Sequence, residues 1–451
     1  MSRSHAIARL TIGICLLSPV ASAIGQSVSL VAERTTDQAV RVEAVYEVAG
    51  ELKFRADQEV KTLPTSATAK LAYDELLLPS AGPARSLRFY RTAEANIRVE
   101  KTDIAAKLRD ERRLLIAEQT DAQPQLFCPD GCLTSDEAEL VQLPATSLLV
   151  DILLPNKDVK IGDSWKHDAE LFVTLLNLDA VSHCEVSSTL TESDEAAARI
   201  EINGTVQGAL GGVAAEFDVA GRYKFDRRLG RVTWLGWVVK EKRSIGHVEP
   251  GVDMTSRLQM RMEPIATPTE LDVAQLPKDA LVTIPELLRL DFQSLRGGYR
   301  FEHDRRWHVM ADRTDVVSLR LVDRGDLVAQ CNVTSVTLPD PNKQPELAQF
   351  QEDIRRSLGK NFGQFTKVGD SDNSLGYKIF RAEAIGTVEE LEIVWKYFLI
   401  QDRQGRQVVM AFTCEQPMVE RFADADQALV DTLRFLEAQS AAEPTPAPLL
   451  R

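Results

Sequence analysis

Alternation of apolar and polar residues with a period of two runs through most of the chain. In SVSLVAERTTDQAVRVEAVYEVAGELKF (27–54), Val42, Ala44, Tyr46 and Val48 fall on one side of an extended backbone, so the segment predicts two strands. Residues 84–99 and 112–117 predict further strands, and DIAAKLRDER (103–112) reads as a short charged helix between them. The stretch after FCPDGC (127–132) predicts another short helix, capped by Thr134 or Ser135. In GDSWKHDAELFVTLLNLDAV (162–181) a turn leads into a helix from near Asp168, with Leu171, Leu175 and Leu178 on one stripe. Strands are then predicted at 184–190, 198–207, 213–225, 231–240 and 256–262. Phe217, Val219, Tyr223 and Phe225 share one side of theirs, with Gly221 between, and Val232, Trp234 and Val238 repeat that pattern on the next.

Prolines interrupt this rhythm at 264, 268, 277 and 285, which places a junction at 264–285. Strands resume in YRFEHDRRWHVMAD and VVSLRLVDRGDLVAQCNVTSVTL, with a hairpin turn at Asp323-Arg324-Gly325-Asp326. In PELAQFQEDIRRSLG the period changes, and Leu347, Phe350, Ile354 and Leu358 form a helical stripe. LEIVWKYFLI and QVVMAFTCE return to strand composition across a turn at 402–405. A last helix carries Phe422, Ala425, Leu429, Leu433 and Leu436 on one side. The fold class is therefore α+β. A curved antiparallel sheet or half-barrel with helices (24–263) precedes an antiparallel-sheet α/β sandwich (286–440), and residues 441–451 form a flexible tail. No internal repeat stands out.

The first 23 residues read as a signal peptide. Arg3 and Arg9 give a basic start, LTIGICLLSPV (10–20) an apolar core, and Ala21-Ser22-Ala23 a small-residue cleavage site. Export to the periplasm or the extracellular space is the expected localisation. No later run is long and apolar enough for a transmembrane helix. The net charge of −14 becomes more negative without the two arginines, which disfavours nucleic acid and anionic lipid as partners. Cleavage also removes Cys15 and leaves Cys128, Cys132, Cys184, Cys331 and Cys414, an odd set too sparse for a disulfide-built fold.

The module at 286–440 resembles the secreted PsbP-like α/β-sandwich group. LEIVWKYFLIQDRQGRQVVMAFTCEQP followed by FADADQALVDTLRFLE carries that resemblance. The group includes non-enzymatic assembly and partner-binding proteins, which implies a binding role here. The whole mature chain resembles uncharacterised exported proteins of planctomycete-type bacteria, through SLRFYRTAEANIRVE, GDSWKHDAELFVTLLNLDAVS and EKRSIGHVEPG. That second resemblance implies no activity.

The candidate sites are few. Pro-Asp-Gly between Cys128 and Cys132 reverses the chain, so a local disulfide leads over separate thiols and over a metal or redox role. Neither the further ligands of a zinc site nor the two-residue spacer of a redox centre is present. Cys331 and Cys414 form a second candidate pair on predicted strands. EHDRRWH offers Glu302, His303, Asp304 and His308 as a polar site, although His303 and His308 have opposite strand parity. The Gly-Asp-Ser words at 162–164 and 369–371 are not nucleophile elbows, and Ser164, His167 and a neighbouring Asp163 or Asp168 read as a turn and helix entry. Gly208, Gly211 and Gly212 lack phosphate-loop spacing, and the acidic 370–373 stretch reads as a solvated turn rather than a calcium loop. Trp234 and Trp237 have opposite parity; Trp395 and Tyr397 share a face. No catalytic residue, metal ligand or cofactor site is assigned. The expected function is a non-enzymatic exported protein that binds a macromolecular partner or supports an envelope assembly. The alternatives are a carrier or sensor of an apolar small molecule and, third, a hydrolytic enzyme.

Overall fold

The computed structural model describes residues 27–33, 36, 38–56, 59–80, 84–120, 124–276, 284–336 and 345–437. The expected signal peptide with Cys15, the tail, and 277–283 of the expected junction lie outside the described residues.

Among the described residues the chain builds open antiparallel sheets with a few short helices. The largest has 12 strands, drawn from residues 39–265. Two wings meet at its centre, where the long strand Ala39–Ala56 pairs with the last strand, Gly251–Ile265, in the register Val42↔Met262, Ala44↔Met260, Tyr46↔Leu258. One face of this sheet is apolar. Val40, Val42, Leu71, Tyr73, Val219, Tyr223, Leu235, Trp237 and Leu258 are all buried there.

Two α-helices and a 3-10 turn cover that face. Helix Ser135–Val141 begins in a capping box: Glu137 N donates to Thr134 Oγ1 at 3.2 Å, and Thr134 N donates to Glu137 Oε2 at 2.9 Å. Helix Ala169–Leu176 buries Phe172 and Leu175 completely, each worth about 2 kcal/mol relative to exposure. Between them the turn Val150–Leu153 is pinned to the sheet by polar anchors. Leu153 O accepts from Trp165 Nε1 and Tyr223 Oη, both at 3.0 Å, and Asp151 Oδ1 accepts from Val232 N at 2.8 Å. Buried Arg88 ties down the neighbouring loop, with Nε on Glu75 Oε1 at 2.8 Å and Nη2 on Thr146 Oγ1 at 2.7 Å. The pair satisfies a charge that burial alone would make costly.

The remaining strands form a 7-stranded sheet from residues 307–415 and a 3-stranded sheet from Leu290–Ser294, Tyr299–His303 and Arg434–Phe435. Helix Leu347–Leu358 lays Phe350 and Ile354 on one face of the larger sheet, against Phe380, Ala382 and Leu399. Phe422, Leu429 and Leu433 pack on the other, against Trp307, Phe398 and Phe412. Trp395 and Tyr397 do share a face, the one covered by Leu347–Leu358. The hairpin turn at Arg324-Gly325 forms with both residues at positive φ, 49° and 84°, as a two-residue turn of the favoured hand requires.

Four sequence expectations are corrected. Residues 102–107 are a strand and not a helix: Glu100, at φ 50°, turns the chain back so that Ile104 lies opposite Ile97 and Asp103 meets Arg98 at 2.7 Å. Only a 3-10 turn, Asp110–Arg112, remains of the expected helix. The last helix is broken at Ala423, φ 42°, into Val419–Phe422 and Ala425–Thr432, and Phe435 leaves it to pair with Tyr299. Asp370, Ser371 and Asp372 end the strand Phe362–Asp372, and the turn starts at Asn373, whose Oδ1 accepts from Leu375 N and Tyr377 N. Val232 and Trp234 do not share a face, for the reason given below.

Within the expected junction, Pro264 and Ile265 still belong to the large sheet, and Leu271 is buried against the edge cluster of Ala39, Leu76 and Leu87.

Candidate functional site on the outer face of the large sheet

Strands Ala197–Leu210, Val213–Asp226, Arg231–Arg243 and Gly251–Ile265 lie side by side. Strand Arg231–Arg243 carries one irregularity. Asp226 faces Arg231 and Phe225 faces Val232, but Lys224 faces Trp234, so Thr233 is an extra, unpaired residue. This β-bulge inverts the alternation. Val232 lies on the apolar face and is fully buried, as are Leu235, Trp237 and Val239 further on; Trp234, Gly236 and Val238 turn to the opposite, solvated face.

On that outer face the Trp234 indole extends along its own strand over Gly236. A β-carbon at Gly236 would stand 2.5 Å from Trp234 Cη2 and 2.8 Å from Cζ2, so glycine there is what admits the ring. Cross-strand rows build the surroundings. Glu201, Arg222, Gly236 and Gln259 form one row, and Asn203, Ala220, Val238 and Arg257 the next. Small Gly236 and Ala220 lie between long side chains and leave an open depression of about 450 Å³, walled by Trp234 and rimmed by Arg222, Arg257, Glu201, Asn203 and Gln259. Both arginines already face carboxylates: Arg222 Nη2 lies 2.7 Å from Glu201 Oε1, and Arg257 Nη1 lies 3.9 Å from Glu47 Oε2. The rim therefore offers both donors and acceptors, and Lys224 and Arg261 stand opposite Trp234 on the strands to either side.

The sites expected from sequence are placed elsewhere and do not converge. Cys128, Cys132, Cys184, Cys331 and Cys414 are all free. Cys331 lies opposite Phe412, while Cys414 lies opposite Ala329. The two are diagonal neighbours on adjacent strands, about 7 Å apart at their β-carbons and beyond disulfide reach. Cys128 is fully buried in the first core, whereas Cys132 Sγ turns to Glu286 O at 3.5 Å, so the local clip is not formed either. Burial raises the Cys128 thiol pKa and pushes Cys132 up to about 11.

FCPDGC instead brackets the two parts of the chain. Arg109 Nη2 and Arg112 Nε donate to Cys132 O at 3.2 and 3.1 Å, and Asp291 N donates to Leu133 O at 2.7 Å. From the other side, Arg305 Nη2 donates to Leu126 O at 2.6 Å. The EHDRRWH segment thus contributes an arginine to this bracket rather than a histidine site. His303 is buried, with Nδ1 2.9 Å from Asp304 O, and burial lowers its pKa. Glu302 faces Arg289 at 3.8 Å, Asp304 holds the Arg306 backbone, and His308 sits on the next strand opposite Arg320. Among the described residues no group of three or more His, Cys, Asp or Glu is arranged to hold a metal.

Ser164 and His167 do not meet. Ser164 Oγ bonds Thr189 Oγ1, and His167 Nε2 bonds buried Ser188 Oγ, both at 2.7 Å. Burial pulls His167 down to about 4. Gly211 and Gly212, at φ 58° and 73°, form a two-residue hairpin turn.

Other hollows occur among the described residues, including a polar one of about 320 Å³ bounded by Gln207, Glu216, Lys240 and Asp253 on the large sheet. A cavity of about 120 Å³ lies between the large sheet and its covering loops, bounded by Tyr46, Arg88, Leu143 and Asn177. A groove of about 650 Å³ runs beside helix Leu347–Leu358, and its lining includes Val336 and Pro345, on either side of residues outside the described set.

No family model matches this sequence, and no curated protein matches it. Low-coverage matches to solved structures include the cyanobacterial PsbP of Synechocystis sp. PCC 6803, at 12% identity over 34% of this chain and 95% of that one, TM-score 0.26. The Pseudomonas aeruginosa protein of unknown function PA94 matches at 11% identity over 35% of this chain and 99% of that one, TM-score 0.23. Lipovitellin matches at 7% identity over 52% of this chain and only 26% of its own length, TM-score 0.31. Likenesses at these TM-scores carry no argument about function. No helix among the described residues is long and apolar enough to cross a membrane.

Proposed function

We propose that this is an exported, non-catalytic binding protein of the cell envelope that takes a macromolecular partner on the outer face of its large sheet. The observation that carries the reading is the bulge at Thr233, which turns Trp234 out of the core and over Gly236. Bulges re-aim side chains at functional positions, and tryptophan and arginine dominate the energetics of binding surfaces. A half-exposed indole on a solvated sheet face offers a partner a large amphipathic surface. In this proposal the 39–265 sheet is a curved half-barrel whose convex side is presented, and residues 286–440 form a PsbP-like sandwich. The element order of 391–437 supports that second assignment.

The alternative, carriage of an apolar small molecule under the large sheet, rests on the 120 Å³ cavity beside Arg88, well below the roughly 300 Å³ where ordinary ligand pockets begin. The Trp234 face is the stronger site.

A photo-crosslinking residue at Val238 in the full chain tests the reading in intact producing cells. Adducts from Val238 that are absent from a crosslinker at exposed Glu392, in the 7-stranded sheet, are the expected result. Equal adducts from both positions, or none from Val238, overturn it.

A further inference from the structure

Resting on that reading, we propose that the Trp234 depression takes a neutral glycan chain, lying lengthwise across the strands. The chemistry of the lining selects this class. A pyranose ring has an apolar C–H face and a polar equatorial belt. Trp234, lying over Gly236, supplies a wall for the first, and Ala220 and Val238 beside it supply a floor low enough for the ring to settle. The belt of hydroxyls needs donors and acceptors together. Arg222 and Arg257 donate, Glu201 accepts, and the amides of Asn203 and Gln259 do both.

Charge narrows the choice. Arg222 and Arg257 each face a carboxylate already, Glu201 and Glu47, and Arg261 faces Glu263. Among the described residues, the one cation beside Trp234 without such a pair is therefore Lys224 on the neighbouring strand, at the edge of the depression and not in its lining. A cation would meet both guanidinium groups. An apolar ligand would strand the polar rim without its water. A polyhydroxylated neutral chain can instead exchange hydrogen bonds with paired arginine and carboxylate groups, which present donors and acceptors side by side. The shape points to a polymer: the depression is open to solvent, so the residues before and after a bound ring can continue out of it. The rim is held on four paired strands, so its spacing is fixed before binding.

The test uses the full chain labelled with 5-fluorotryptophan. Its five tryptophans give five fluorine resonances, and Trp234→Phe identifies the one from the site. Cellohexaose, chitohexaose, maltohexaose and isomaltohexaose are titrated separately. A saturable shift of the Trp234 resonance with at least one of them is expected, with the buried Trp307 and Trp395 resonances, which belong to other cores, unmoved. Gly236→Ala, which pushes a methyl against the indole tip, should weaken that titration about tenfold or more while the Trp165, Trp307 and Trp395 resonances keep their positions.

No shift with any of the four sugars overturns the glycan assignment. So does a shift that Gly236→Ala leaves unchanged, or a Trp234 resonance that moves with protein concentration alone, which would mark contact with a second copy. If the sugars fail while Val238 still crosslinks a protein, the binding face stands and the glycan inference falls. If both fail, the proposed function falls with it.

Discussion

Val232 and Trp234 stand two residues apart on one strand and face opposite sides of the sheet. Strict alternation would bury both. The extra residue, Thr233, separates a core valine from an outward indole, and the glycine two positions on gives that indole a place to lie. Trp234→Ala should therefore cost little stability, about 1 kcal/mol, because only the contact over Gly236 and the strand preference of tryptophan are lost and no core packing. Trp237→Ala, on the buried face of the same strand, should cost about 3–5 kcal/mol. Urea unfolding of the two variants checks the contrast; equal losses would place Trp234 in the core.

Acid should weaken the fold through His167. Its folded-state pKa is about 4 against an ordinary 6.5, because burial beside Ser188 disfavours the charged ring. The neutral folded histidine contributes full stability above about pH 6.5. That contribution is lost as pH falls towards 4, where the unfolded chain has taken up a proton and the folded one has not. The loss approaches about 3 kcal/mol. His303 and His308, also lowered by burial, act in the same direction. Stability measured from pH 7.5 to 4.5 should fall faster in the native chain than in His167→Gln; parallel curves would reject the assignment.

The thiols should be silent. Cys331 and Cys128 are fully buried, and burial holds Cys132 and Cys414 near 11. At pH 8 the folded chain should take up iodoacetamide slowly at all four, and mass mapping after unfolding in alkylating urea should recover each as a free thiol. A mapped Cys331–Cys414 bond would contradict the diagonal register.

The bracket between the two parts of the chain includes one half-buried guanidinium. Arg305 donates to Leu126 O and to Leu288 O at 2.8 Å. Arg305→Met should strand both carbonyls and cost about 2 kcal/mol in urea unfolding of the full chain. Residues 286–440 expressed alone should still unfold cooperatively, since the core of Trp307, Cys331, Phe412 and Leu429 is drawn entirely from them. Random-coil amide signals from that fragment would reject its autonomy.

Much of the architecture was legible in the sequence because its signals are periodic. The strands from 184 to 262 and the stripe Leu347, Phe350, Ile354, Leu358 follow from alternation and helical spacing alone. The misses have local causes. DIAAKLRDER has helix-forming residues, but pairing with Arg85–Val99 overrides their preference. Lys378–Val388 is a central strand whose facing residues, Ala382 and Ala384, are too small to give a visible alternation. The outer-face site was invisible for a sharper reason. A single inserted residue changes which side every later residue faces, and nothing in the composition of Arg-Val-Thr-Trp marks Thr233 as unpaired. The usable hint was the parity conflict between Trp234 and Trp237: on one strand, both indoles cannot be core.

The most direct measurement of the central claim compares crosslinking yield from position 238 in the otherwise native chain, in Trp234→Ala and in Gly236→Ala, with thermal unfolding recorded for each. If the bulge presents Trp234 for binding, both substitutions should lower the yield about tenfold or more while the unfolding midpoint moves by no more than a few degrees. Undiminished crosslinking in both variants, with the fold intact, would contradict the account.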